Sequence, residues 1–204
     1  MHIECECSET FELGDCVMDD IEQARLKQLE RGIPDIWNDI GTNEATRRVR
    51  NDPTPSILYI GAYQKRFHFY NRIRKASFQM DLIEIDRRAC DWLEAVWLVK
   101  NVYCCDIRTY IELIDLDAEM HKYHTIIWSH GVETLPKLDG EKILTNLEYL
   151  AGKLIVNMVP FGAAGGSGNV SIWYPKNFED MGYKTDTLGN EGELNSNLLA
   201  WKYK

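Results

Sequence analysis

The stretch Ser56 to Phe69, SILYIGAYQKRFHF, decides the fold. Ile57, Leu58, Tyr59 and Ile60 form a short apolar run with β-branched and aromatic members, which suits a strand buried on both faces. Asn51, Asp52, Pro53, Thr54 and Pro55 precede it and read as a loop. Gly61 closes it. A glycine at the carboxyl end of a first parallel strand lets the chain turn sharply and lets a ligand approach the backbone. In a doubly wound sheet the ligand crevice then opens at Gly61, and later strands should bring polar residues to the same edge.

Downstream, the chain alternates. A helical segment runs to about Ser77, with Phe67, Tyr70 and Ile73 near helical spacing. Gln79 to Ile85, QMDLIEI, reads as a second strand ending at Asp86. Arg87 to Lys100 reads as a helix with Trp92, Leu93, Val96 and Trp97 on its apolar stripe and Asn101 as its C-cap. Val102 to Cys105 is a third strand ending at Asp106, and Tyr110 to Leu116 a connecting helix. Tyr123 to Ser129 is a fourth strand, followed by His130 and Gly131. Lys142 to Leu150 is a helix, and Gly152 to Val159 a fifth strand leading into the glycine-rich segment Gly165, Gly166, Gly168. Pro175 to Met181 is a short helix with Gly182 past its end. Tyr183 to Leu188 and Asn197 to Tyr203 read as strands joined through Gly189, Asn190, Glu191 and Gly192, a hairpin signal. Such alternation predicts a parallel sheet with right-handed crossovers.

Upstream lies an extension, residues 1–55, expected to be mainly helical. Asp19 to Arg31, DDIEQARLKQLER, has an acidic start and a basic end, an order that suits the helix dipole. Gly32 and Pro34 stop it, and Thr42 is placed to cap a helix running to about Arg50. Cys5, Cys7 and Cys16 with His2 read either as half of a zinc site or as a short hairpin with buried thiols. The spacing lacks the second ligand pair of a standard finger.

A chain of 204 residues fits one α/β domain with such an extension. Its net charge of −9 and pI near 5.1 disfavour a nucleic-acid backbone as partner, since phosphate binding needs a cationic face. No secretory signal is visible and no apolar run reaches membrane-spanning length. Six cysteines without a signal read as reduced thiols. The expected location is the cytoplasm, with no membrane partner.

From Ser56 to Lys204 the order of elements resembles that of the class I S-adenosylmethionine-dependent methyltransferases. SILYIG resembles the family's first motif, with Gly61 at its first glycine. Tyr59 stands where an acidic residue is usual, and Tyr63 and Lys65 where the next glycines are usual. IEIDRRA resembles the second motif, YCCDIRT the third, IIWSHGVETLPK the stretch after the fourth strand, and FEDMGYKTDT the segment before the sixth strand. The resemblance implies a Rossmann-like, doubly wound α/β sheet of about seven strands. It is expected to be mostly parallel, with a C-terminal antiparallel hairpin over residues 56–204. It also implies S-adenosylmethionine as cofactor, with Gly61, Asp86, Asp106 and Ile107 binding it. Asp86 would accept from the ribose hydroxyls. Asp106 would accept from the adenine amino group, and Ile107 would offer its amide and an apolar wall.

Each of these residues also has a plain structural reading. Asp86 and Asp106 suit helix N-caps; His130 suits a satisfied structural histidine; Glu133 suits the start of a helix. On the functional reading His130, with an ordinary pKa of about 6.5, is the general base for a hydroxyl acceptor, while Glu133 and Trp128 contact the substrate. The expected function is methyl transfer to a small-molecule or sugar acceptor. The departures in the first motif support an alternative, a catalytically inactive methyltransferase-like binding or partner subunit. No metal is expected at the site, and the sequence leaves a homo-oligomer open.

Overall fold

The computed structural model describes residues 3–4, 10–11, 20–36, 56–61, 79–95, 99–120, 122–163 and 168–204. Two short strands, β1 (Ile3–Glu4) and β2 (Thr10–Phe11), pair antiparallel ahead of helix α1 (Asp20–Gly32). Then come β3 (Ser56–Ile60), β4 (Gln79–Glu84), α2 (Arg87–Ala95), β5 (Asn101–Cys104), α3 (Ile107–Leu113) and β6 (Tyr123–Ser129). A 3-10 turn at Val132–Thr134 leads into α4 (Lys137–Leu150), β7 (Ala151–Pro160), α5 (Pro175–Glu179), β8 (Lys184–Leu188) and β9 (Asn197–Tyr203). The expected cysteine cluster, the helices about Thr42 and after Gly61, and Tyr63 and Lys65 lie outside the described residues.

Strands β3 to β9 form one sheet in the order β5-β4-β3-β6-β7-β9-β8. The first five are mutually parallel; β9 runs antiparallel between β7 and β8. β3 sits in the middle with β4 on one side and β6 on the other, so the chain reverses its direction of travel across the sheet there. That reversal is a topological switch point, and open α/β sheets bind ligands outside the carboxyl ends of the strands at such points.

Both faces of the sheet are covered, which explains the continuous apolar runs in β3 and β6. One face carries α1 and α2: Leu26, Leu29 and Ile33 pack with Tyr59, Leu82, Leu93, Val156 and Trp201. The other carries α3, α4 and α5, where Ile107, Tyr110, Ile143, Leu147 and Phe178 meet Ile60, Ile126, Trp128 and Ile155. In α4 the buried positions Ile143, Leu144, Leu147 and Leu150 repeat at the helical period.

Several element boundaries differ from the sequence reading, and three of the differences bear on the site. Asn101 is not the C-cap of α2. It is the first residue of β5, opposite Asp81, and donates to that carboxylate at 2.7 Å. Helix α3 begins at Ile107, because Asp106 accepts from the Arg108 amide and caps it. Helix α4 begins at Lys137, five residues before the expected Lys142: Pro136 occupies the N-cap, and Gly140 is buried within the helix. Tertiary packing there outweighs glycine's weak helix propensity.

Candidate active site

The carboxyl ends of β3, β4, β5 and β6 enclose a cleft of about 350 Å³, within the ordinary range for small-ligand sites. Gly61 forms its floor. Its φ of +76° and its amide bond to the Ile83 carbonyl, 3.0 Å, hold the turn against β4. A Cβ at this position would stand 3.1 Å from the Ser129 carbonyl oxygen, so a side chain meets both strain and crowding.

The second strand delivers a different acid from the expected one. Glu84, the last residue of β4, is buried and lines the cleft; its Oε1 accepts from the amides of Ile85 at 2.8 Å and Asp86 at 2.9 Å. Asp86 is exposed and is not part of the lining. Its Oδ1 accepts from the amides of Arg88 at 2.8 Å and Ala89 at 3.4 Å, which caps α2. Two acids two residues apart therefore divide the work. The one that ends the strand faces the cleft, and the one that precedes the helix closes its first turn. Ile85, although 68 % exposed, lines the cleft beside Glu84.

The third strand brings Cys105, Asp106 and Ile107 to the opposite wall. Asp106 accepts from the Arg108 amide at 2.8 Å and Nε at 3.0 Å through Oδ1, and from Nη2 at 2.7 Å through Oδ2. The hydrogen-bonded Arg108 guanidinium holds the Asp106 carboxyl below the usual carboxylate range. The Ile107 amide lies in the first turn of α3, where no intrahelical acceptor exists. Burial raises the Cys105 thiol above its ordinary value.

The fourth strand ends in Trp128, Ser129 and His130. Trp128 is buried and contributes to the lining, and Gly131 folds over its indole so closely that a Cβ would collide with the ring nitrogen. His130 has a φ of +54°, unusual for a residue with a side chain, and its amide donates to the Met158 carbonyl at 2.7 Å. The neighbouring strand thus holds the imidazole at the cleft in a conformation the free chain disfavours.

Glu133 lies behind His130 rather than in the lining. Its Oε1 stands 3.5 Å from His130 Nδ1, while its Oε2 is buried without a hydrogen-bond partner. Its carbonyl accepts from the amides of Val170 at 2.8 Å and Ser171 at 2.9 Å. This contact pins the segment after the glycine-rich stretch onto the turn that carries His130. Beyond it, Thr134 and Leu135 complete the wall of the cleft. Lys137 stands 3.4 Å from the Trp173 ring centroid, and partial burial lowers its pKa to about 8.

Of the residues singled out in the sequence, Gly61, Asp106, Ile107, Trp128 and His130 converge on one cleft, whereas Asp86 and Glu133 flank it. Glu84 went unnoticed in the sequence. Its signal was present: it ends a strand two residues before an N-cap. Among the described residues there is no group of three or more His, Cys, Asp or Glu side chains fit to hold a metal ion. No described helix is long and apolar enough to cross a membrane.

The architecture is that of the class I S-adenosylmethionine-dependent methyltransferases. A methyltransferase from Archaeoglobus fulgidus matches with a TM-score of 0.56 at 13% identity, over 78% of this chain and 92% of that one. The Burkholderia thailandensis 1,6-didemethyltoxoflavin-N1-methyltransferase, with bound 1,6-didemethyltoxoflavin and S-adenosylhomocysteine, gives 0.55 at 10% identity over 100% of this chain and 98% of its own. The magnesium protoporphyrin IX methyltransferase of Synechocystis PCC 6803, with bound S-adenosylmethionine, gives 0.53 at 11% identity over 94% and 86%. At such identities the likeness is one of fold. No protein-family model and no curated protein matches the sequence.

Proposed function

We propose that the protein is an S-adenosylmethionine-dependent methyltransferase acting on a small-molecule or glycan-type acceptor in the cytoplasm. The observation that carries this reading is the set of groups meeting at the switch point: the Gly61 turn, buried Glu84, and the Asp106–Ile107 pair. A carboxylate at the end of β4 suits a vicinal diol. A carboxylate beside a first-turn amide suits an adenine edge, which offers a donor next to an acceptor. Ile85 and Ile107 supply apolar surface for a planar base. The ribose role, first assigned to Asp86, passes to Glu84, because Glu84 lines the cleft and Asp86, which caps α2, does not.

When bound, the cofactor supplies a methyl group on a sulfonium. The chain's part is to bind, orient and handle the proton. Asp106 keeps lone pairs to spare beside Arg108, since a carboxylate accepts at about four sites. Trp128 forms a buried wall for the acceptor. His130 removes the proton of a hydroxyl acceptor, and Glu133, behind Nδ1, orients the ring rather than touching the substrate. Replacing His130 by Asn, which tolerates positive φ, should cost at least tenfold in turnover while leaving cofactor binding intact. Wild-type turnover in that variant removes the assignment.

The reading as a whole is tested by melting the protein with and without S-adenosylhomocysteine. Ligand at a hundred times its dissociation constant stabilises by about 2.7 kcal/mol. In a domain of this size that is a rise of roughly 5–10 °C. No rise with either this ligand or S-adenosylmethionine sinks the proposal. A second reading, a binding or partner subunit without catalysis, draws on the first motif. Tyr59, at the usual acidic position, is buried in the core. A melting rise without methyl transfer to any acceptor in a broad panel favours this second reading.

A further inference from the structure

Three cysteines stand near the rim of the cleft, and the pleat of the sheet sorts them. Cys104 ends β5 directly opposite Glu84 of β4, and residues paired on neighbouring strands point to the same face. That face lies under α2, since Val102, two residues earlier, packs with Leu93 of that helix. Cys90, on the inner side of α2, is buried, and its thiol donates to the Glu84 carbonyl at 3.3 Å. Cys105 points the other way, into the cleft. The thiols of Cys90 and Cys104 therefore converge on one rung of the sheet, the rung that carries the acid of the cleft. Burial raises the Cys90 thiol above its ordinary value, and the neighbouring Cys104 raises it further. Cys104 is partly exposed, and Arg87, ion-paired chiefly with Asp91, also lies within electrostatic reach of its sulfur.

We propose that Cys90 and Cys104 form an oxidisable dithiol at the rim of the cleft, closing to a disulfide that ties α2 to β5 beside Glu84. The oxidant is of the peroxide class. The Cys104 thiolate attacks one peroxide oxygen, the O–O bond breaks, and the departing oxygen takes a proton and leaves as water or an alcohol. The Cys90 sulfur then attacks the sulfenic acid: the S–S bond forms, the S–O bond breaks, and hydroxide leaves as water with the proton of Cys90. Two electrons pass from the thiols to the peroxide, and a small-molecule dithiol reverses the reaction. Glu84 holds the Ile85 and Asp86 amides and Asp86 caps α2, so drawing Cys90 toward Cys104 displaces one wall of the cleft. This last consequence rests on the nucleoside reading of the cleft; the bridge itself does not.

Full-length protein treated with hydrogen peroxide, alkylated and digested without reductant should yield a Cys90–Cys104 cross-linked peptide. Dithiothreitol should restore both thiols. Cross-links confined to Cys5, Cys7 and Cys16, or overoxidation of Cys104 without a bridge, overturn the proposal. Cys104→Ser and Cys90→Ala should each abolish the cross-link and the reductant-sensitive part of the melting temperature. The surface-proximal Cys104→Ser keeps the test decisive if the buried substitution fails to fold. S-adenosylhomocysteine should bind the oxidised wild type at least tenfold more weakly than the reduced form, and Cys104→Ser equally before and after peroxide. Equal affinity in both states of the wild type cuts the bridge's link to the cleft. A bridge in a protein that binds the nucleoside in neither state upholds the dithiol and removes the methyltransferase reading.

Discussion

Strands β4, β5 and β6 carry polar side chains at both ends, and the two ends differ in how those groups are satisfied. At the amino ends, Asp81 accepts from Asn101 Nδ2 at 2.7 Å and from the Tyr123 hydroxyl at 2.9 Å, and the Tyr123 and Tyr110 hydroxyls lie 3.2 Å apart. Burial, reinforced by Tyr110, raises the Tyr123 hydroxyl far above its ordinary pKa and keeps it a donor. Protein groups answer one another throughout this cluster. At the carboxyl ends, Glu84 and Asp106 bond to amides or a guanidinium on one side and face a cleft on the other. A closed polar network specifies how strands stack; an open one, held in place by the backbone, is arranged to meet something else.

If this contrast is right, the two ends should respond oppositely to substitution. Asp81→Ala leaves the buried Tyr123 hydroxyl and the exposed Asn101 amide without their acceptor and should cost about 3 kcal/mol of stability. That appears as a fall of roughly 6–12 °C in melting temperature, with affinity per folded molecule for S-adenosylhomocysteine unchanged. Glu84→Gln should show the converse. Hydrogen bonds to a charged group are worth about 1.5–3 kcal/mol, so titration calorimetry should find binding weakened about 10- to 100-fold. Its melting temperature without ligand should move by only a few degrees. A Glu84→Gln protein that binds like the wild type would place the open cluster with the closed one.

Asp86→Ala sharpens the comparison within a single turn. Loss of an N-cap costs about 1 kcal/mol, roughly 2–4 °C here, and nucleoside affinity should stay within about twofold of the wild type. Equal losses of affinity at 84 and 86 would mean that both acids reach the ligand.

These two acids also mark where sequence reading runs out. The strand Tyr123–Ser129 is legible residue for residue, because a β-branched, apolar run between polar flanks has few other readings. The mostly parallel sheet and the closing hairpin follow from alternation and glycine-rich turns, and the residues at the ends of β3, β5 and β6 follow from the order of elements along the chain. Which acid of the pair faces the cleft depends on where the strand stops and the helix begins, and a shift of two letters is within the usual boundary error. The place of Glu133 behind His130 was hidden for another reason. Its carbonyl is held by Val170 and Ser171, so its burial depends on a partner far along the chain that no local pattern reveals.

Asp106 lies between the two classes, since Arg108 closes one side of it while the other faces the cleft, and pH separates the two roles. Arg108 holds the folded-state pKa of Asp106 below the ordinary carboxylate value of about 3.9. The pair therefore contributes its stability above about pH 4, and that contribution is lost as pH falls through the folded-state value. Asn at this position keeps the N-cap oxygen and removes the charge. Wild type should lead Asp106→Asn by under about 1 kcal/mol near neutrality, and in melts the lead should shrink below about pH 4 and vanish once the pH is below the depressed folded-state value. The adenine contact needs an acceptor rather than a charge, and the Asn carbonyl supplies one, so nucleoside affinity at neutral pH should fall by no more than a few fold. A lead that persists in strong acid would mean that Asp106 supports α3 through its shape alone, and a collapse of affinity at neutral pH would mean that the ligand reads its charge.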